Sequence, residues 1–297
     1  MKDMVNLKIQ ENESLKVGFY RIFSELVRYS LDKLTNIEQY DYAIHEARKS
    51  FKRIRSLLRI YKPAIDELLF EEFNILFRDL GRTLSQFRDL DSITECLSKI
   101  KLKNENKNEI INTLKIQIDN MRFNNDIDQM NKAINEVIDN LNNSLINLNK
   151  IELPDDCKPY IKKGIKKIYD IGRSQYYKNL LETNDILMHE WRKKVKQLWD
   201  VSLIFNDGSP EDETYAEEIH TLSTLLGDYH DLVLTFDFVY NEQLILDEES
   251  FIKFKKILIK RKDKLARQSF EQAQNIYKLS VEEFIKNFSK NQLIRYV

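Results

Sequence analysis

Residues 45–63 read HEARKSFKRIRSLLRIYKP and gather Arg48, Lys49, Lys52, Arg53, Arg55, Arg59 and Lys62 against one acid, Glu46. Cations at this density suit phosphate chemistry. Arg forks onto two oxygens of one phosphoryl group, and Lys supplies a mobile point charge. A helix turns by about 100° per residue, so these residues fall into stripes. Ala47, Phe51, Ile54, Leu57, Leu58 and Tyr61 share the side that should face a core. His45, Arg48, Lys52, Arg55, Arg59 and Lys62 form a second stripe beside it, with Lys49 and Arg53 further round. Like charges at i,i+4 destabilise an isolated helix by roughly 0.2–0.5 kcal/mol per pair, and a solvated face would intersperse Glu. A polyanion laid along the stripe would remove that repulsion.

The same constellation returns 144 residues later, as His189, Glu190, Arg192 and Lys196 against His45, Glu46, Arg48 and Lys52. Lys193 stands where the first copy has Lys49, whereas Trp199 and Leu203 replace Arg55 and Arg59, so the second stripe is shorter. Neither histidine has HExxH spacing or a second nearby His, which argues against a metal site. Two roles stay open for them: a donor facing phosphate, or a partly buried ring bonded to a carboxylate. Arg82, Arg88, Lys166 and Arg173 are further candidates for the basic surface. Asp89 and Asp91, in RDLD at 88–91, are expected to orient a neighbouring Arg or His rather than to catalyse. The run KFKKILIKRKDK at 253–264 spreads its cations over several helix faces and reads as solvated surface. No Walker loop, GxGxxG, nucleophile elbow or kinase signature occurs, so phosphate must be held by side chains and no catalysis is expected.

Elements positioning these residues should be helices. With 6 Gly and 4 Pro in 297 residues the chain is poor in turn formers, and long breaker-free stretches favour an all-α fold. Three matches share one order and a nearly constant offset: KVGFYRIF at 16–23 with KKGIKKIY at 162–169, the two His motifs, and RDLD at 88–91 with HDLV at 230–233. They define two repeats, 1–150 and 151–297, joined near IELPDDCKP at 151–159. Helices are expected at 12–35, 40–62, 65–98 and 105–149, then at 158–182, 184–206, 212–242 and 248–288. The segment NMRFNND at 120–126 is a candidate break. Packing of the repeats about a pseudo-twofold would set the two basic stripes face to face around a groove or pore.

Net charge is −1, so the acids that cancel these cations lie outside the segment. Cys96 and Cys157 are isolated, which suits a reducing compartment. No signal-peptide stretch or run of about 20 apolar residues is present, and a cytoplasmic location without membrane insertion is expected.

The 45–63 stretch, with His first and cations three, seven, eight and ten residues on, resembles the signature of the CHAD domain (conserved histidine α-helical domain). HEWRKKVKQLWDVSLIF at 189–205 resembles the second half-signature, departing from it at Gln197 and Trp199. RDLD at 88–91, LLGDYHDL at 225–232 and AQNIYKLSVEEF at 273–284 are similar to later segments of the family. The resemblance implies two four-helix bundles related by a pseudo-twofold around a basic central cavity. It also implies that the cavity binds inorganic polyphosphate, that the protein associates with polyphosphate granules, and that no cofactor is needed. On this reading the ligand is polyphosphate or another phosphate-rich polyanion. A nucleic-acid binder and a histidine phosphoacceptor are the alternatives.

Overall fold

A computed structural model describes residues 5–87, 89–100, 105–122, 127–206, 208–241, 244–289 and 293. Among them every regular element is helical. The first half contains α1 (Leu15–Thr35), α2 (Tyr40–Tyr61), α3 (Glu67–Thr83), α4 (Asp89–Lys99), α5 (Glu105–Arg122) and α6 (Ile127–Asn147). The second contains α7 (Lys158–Leu181), α8 (Asp185–Phe205), α9 (Pro210–Asn241), α10 (Glu248–Ile276) and α11 (Val281–Phe288).

Local chemistry sets most of the starts. Ser14, Asp66, Asn184 and Asp247 each accept a backbone N–H at the first turn of α1, α3, α8 and α10. Two expected helices are broken in ways that periodicity alone does not reveal. The helix expected at 65–98 is two helices, α3 and α4, separated by a 3₁₀ turn at Ser85–Phe87. There Leu84 is fully buried, and the Ser85 hydroxyl donates to the Arg82 carbonyl. The helix expected at 248–288 is α10 and α11, because Ser280 and Glu283 form a capping box that starts a new helix. The helix expected at 105–149 is likewise α5 and α6.

Helices α1, α2, α3 and α6 pack in a ring, each on the next, and α7, α8, α9 and α10 do the same. The halves are also bound to each other. Helix α2 packs on α7 and α8, α4 packs on α9, and α5 packs on α10. Gly164 of α7 lies under the Ile60 carbonyl, where a Cβ would sit 2.0 Å from that oxygen. The arm before α1 crosses to the other half through a 3.0 Å bond from the Ile9 amide to the Ile204 carbonyl. One hydrophobic core therefore runs through the whole molecule, and it fixes α2 against α8.

Candidate functional site

All six apolar residues expected on the core side of α2, Ala47, Phe51, Ile54, Leu57, Leu58 and Tyr61, are buried to 1% exposure or less. That burial turns the cationic stripes toward α8 on one side and α3 on the other. Arg48 is half-buried and Lys52, one turn on, is exposed.

Glu46 is buried and already has partners. It accepts from the Tyr29 hydroxyl at 2.9 Å and from Lys49 at 3.3 Å, and the His45 ring lies 3.8 Å away. Those partners outweigh burial and hold its carboxyl below the ordinary range. In the second copy Glu190 takes Lys193 in the same i,i+3 geometry. Lys49 and Lys193 are thus directed to acids on their own helices. The two histidines differ. His45 lies beside a carboxylate, whereas the His189 ring packs on His230 of α9, with centroids 4.3 Å apart. Its Nδ1 is buried and has no hydrogen-bond partner among the described residues.

At the α2–α8 seam the Ser56 side chain hydrogen-bonds the buried Asp200, and Arg53, Lys196 and Arg59 surround that carboxylate. Burial wins over these cations and pushes Asp200 up to about 6. Burial, then Arg192, draws Lys196 down to about 8, with Arg53 acting in the same direction and Asp200 and Asp231 opposing. Arg192 is also lowered by burial, and its Nε has no partner among the described residues. His230 is drawn down to about 3 by burial and by the charges of Arg192, His189, Lys196 and Lys52. Burial and then Lys193 and Arg192 lower His189. Both rings of the pair are therefore neutral near pH 7. Lys52, Arg53 and Arg59 of the first half share one field with Arg192, Lys194 and Lys196 of the second.

A second group of cations lies between α2 and α3. Asn74 Oδ1 accepts from Arg55 Nε at 3.2 Å and from Arg59 Nη2 at 3.1 Å. Arg78 forks onto Asp79 at 2.8 and 3.0 Å, and Arg82 reaches the same carboxylate at 3.5 Å. Burial, then the charges of Arg59, Arg78 and Arg82, pulls Arg55 down to about 10.

Other expected residues are directed elsewhere. Lys166 pairs with Glu282, and Arg173 donates to the Tyr277 carbonyl and stacks on Tyr177, so both serve the junction of α7 with the α10–α11 turn. Arg88 and the Asp89 side chain lie outside the described residues. Asp231, which aligns with Asp89, interacts with Arg192, in keeping with an orienting role. Asn74, Arg78, Lys194, Asp200 and His230 are functional candidates that sequence reasoning passed over. The spacing of Asn74, Arg78 and Arg82, four residues apart on one face of α3, was the available signal.

The arrangement gathers partly desolvated cations of both halves around a few buried acids, beside imidazoles held neutral. No group of three or more His, Cys, Asp or Glu able to hold a metal gathers among the described residues. No helix there is long and apolar enough to cross a membrane.

A comparison with curated proteins finds no match. Among solved structures, the crystal structure of the CHAD domain from the plant Ricinus communis superposes with a TM-score of 0.59 at 14% identity, covering 89% of this chain and 93% of that one. A sequence model described as the CHAD domain matches residues 31–239, a span that contains both His motifs and the α2–α8 seam. The chain belongs to the CHAD domain family.

Proposed function

We propose that the protein binds inorganic polyphosphate, without turning it over, in a basic groove where two four-helix halves meet about a pseudo-twofold. The observation that carries this reading is the shared field of α2 and α8. Lys52 acts on His230 across the halves, and Arg53 acts on Lys196. Cations are costly to desolvate beside one another, and an anion between them offsets that cost. The pseudo-twofold is supported by Ser56 and Asp200. They hold equivalent places, 144 residues apart, and they touch, as residues on a symmetry axis must.

Polyphosphate fits better than nucleic acid. A base-bearing strand gains from open aromatic faces. Trp199, the aromatic residue in the second stripe, instead has its ring stacked on His220 at 4.7 Å. Binding of this kind would also hold the protein on polyphosphate granules in the cytoplasm. Competition settles the ligand class. Labelled long-chain polyphosphate should bind at physiological salt and resist displacement by equal phosphate concentrations of single- or double-stranded DNA. Ready displacement by DNA would contradict the proposal.

A further inference from the structure

The basic band is not the same at its two ends, and the difference bears on ligand polarity. In the first half Arg55 of α2 stands beside Arg78 and Arg82 of α3, with Arg59 completing the group. One hundred and forty-four residues after Arg55 and Arg59 stand Trp199 and Leu203, and 142 after Arg78 and Arg82 stand His220 and Thr224. The second half makes the same interhelix contact with a different pair, Trp199 stacked on His220. Among the described residues the arginine cup belongs to the first half alone.

Asp79, which Arg78 already forks, also feels Arg55 and Arg82, while Glu71 acts on Arg59 and Arg78 and is shared with Lys62, so among the described residues the four guanidinium groups still outnumber the acids beside them. Arg55 is half-buried, and among the described residues its side chain hydrogen-bonds the neutral amide of Asn74. Desolvating a guanidinium among like charges is unfavourable unless an anion joins it, and the fork geometry matches phosphoryl oxygens. Internal phosphates of a polyphosphate chain carry one negative charge each. A terminal phosphoryl group has a second ionisation near pH ~6 and carries close to two negative charges above it.

Building on the polyphosphate reading, we infer that the cup of Arg55, Arg59, Arg78 and Arg82 captures the terminal phosphoryl group of the chain. The polymer then lies in one direction, its end at α3 and its body along the α2–α8 seam. The ligand class is a linear polyphosphate with a free end, and short linear chains should bind more tightly than end-less ones of equal phosphate number.

The test compares linear triphosphate, cyclic trimetaphosphate and long-chain polyphosphate by calorimetry on the full chain at pH 8. Linear triphosphate should bind about tenfold more tightly than the cyclic form, the worth of one or two added charge-assisted bonds. The ratio should fall toward one in Arg55→Gln and in Arg82→Gln, whose side chain is 70% exposed and whose loss does not threaten folding. Lys196→Gln should weaken both ligands alike. Lowering the pH below about 6 should also erase the ratio, because the end group then loses its second charge. A wild-type ratio near one, or a ratio untouched by Arg55→Gln and Arg82→Gln, overturns the inference while long-chain binding still supports the parent reading. Arginine-dependent binding of triphosphate without long-chain binding would do the reverse. Failure of all three ligands to bind would remove both.

Discussion

Lys196 carries the proposed anion binding down to a single residue. Burial and the neighbouring Arg192 draw its amino group down to about 8, so near that pH it is only partly charged. An anion in the seam favours the charged form, and binding at pH 8 should take up protons. Calorimetry in two buffers of different ionisation enthalpy measures this directly. Uptake should be clear in the wild type and largely lost in Lys196→Met, whereas absence of uptake in the wild type would contradict the proposed placement. The same residue shapes stability. Between about pH 8 and its ordinary value of 10.5 the folded chain holds fewer protons here than the unfolded chain, so this site adds stability as pH rises through that window. Asp200 acts at lower pH. Its folded value of about 6 lies above 3.8, so its contribution is lost as pH rises from about 4 to 6. Lys196→Met should therefore raise the Tm of the ligand-free protein at pH 7 by a few degrees while weakening polyphosphate binding. A lower Tm would mean that the lysine stabilises the fold. The cations of α2 were legible in the sequence because they break the usual interspersion of charge. Asp200 was not, since a single acid in mixed helical text carries no mark of its burial opposite Ser56.

At the scale of elements, the site depends on how closely α7 and α2 approach, because that contact seats α2 against the second half. Gly164 permits it, and an added Cβ would meet backbone atoms of Ile60 that cannot move aside. Gly164→Ala should cost about 1–3 kcal/mol and lower polyphosphate affinity as well. Gly81 and Gly227 have open space around them, so Gly81→Ala and Gly227→Ala should each stabilise by about 0.5–1 kcal/mol and leave binding unchanged. Chemical denaturation of the three variants separates these outcomes, and equal effects at all three positions would refute the packing argument. Helix class and the buried side of α2 followed from periodicity in the sequence. The break between α3 and α4 did not, because the text around Leu84 stays apolar at helical spacing. What turns the chain there is tertiary: Leu84 enters the core and α4 is carried over to α9. Arg82 consequently ends a helix beside Arg55, and Lys166 and Arg173 are claimed by the α10–α11 turn.

For the whole molecule, a net charge of −1 means that the proposed attraction to a polyanion must be local to the cations of α2, α3 and α8 rather than a property of the overall charge. Binding should weaken steeply between roughly 50 and 200 mM salt, with a logarithmic slope that falls by about 0.7 for each contacting cation removed, by analogy with single-stranded nucleic acids. An unchanged slope in Arg53→Gln would place that residue outside the contact. In the sequence the repeat shows as a nearly constant offset, and Ser56 and Asp200, which stand 144 residues apart, are in contact. Sequence comparison of the repeats could not show the extent to which α4 and α5 bind the opposite half. If α2 and α8 build one site together, binding capacity must show it. A short polyphosphate of defined length should titrate one site per chain. Lys52→Gln in the first half and Lys196→Gln in the second should each weaken that one site by about tenfold, with coupled effects in the double variant. Two sites per chain, one lost in each variant while the other keeps its wild-type affinity, would contradict it.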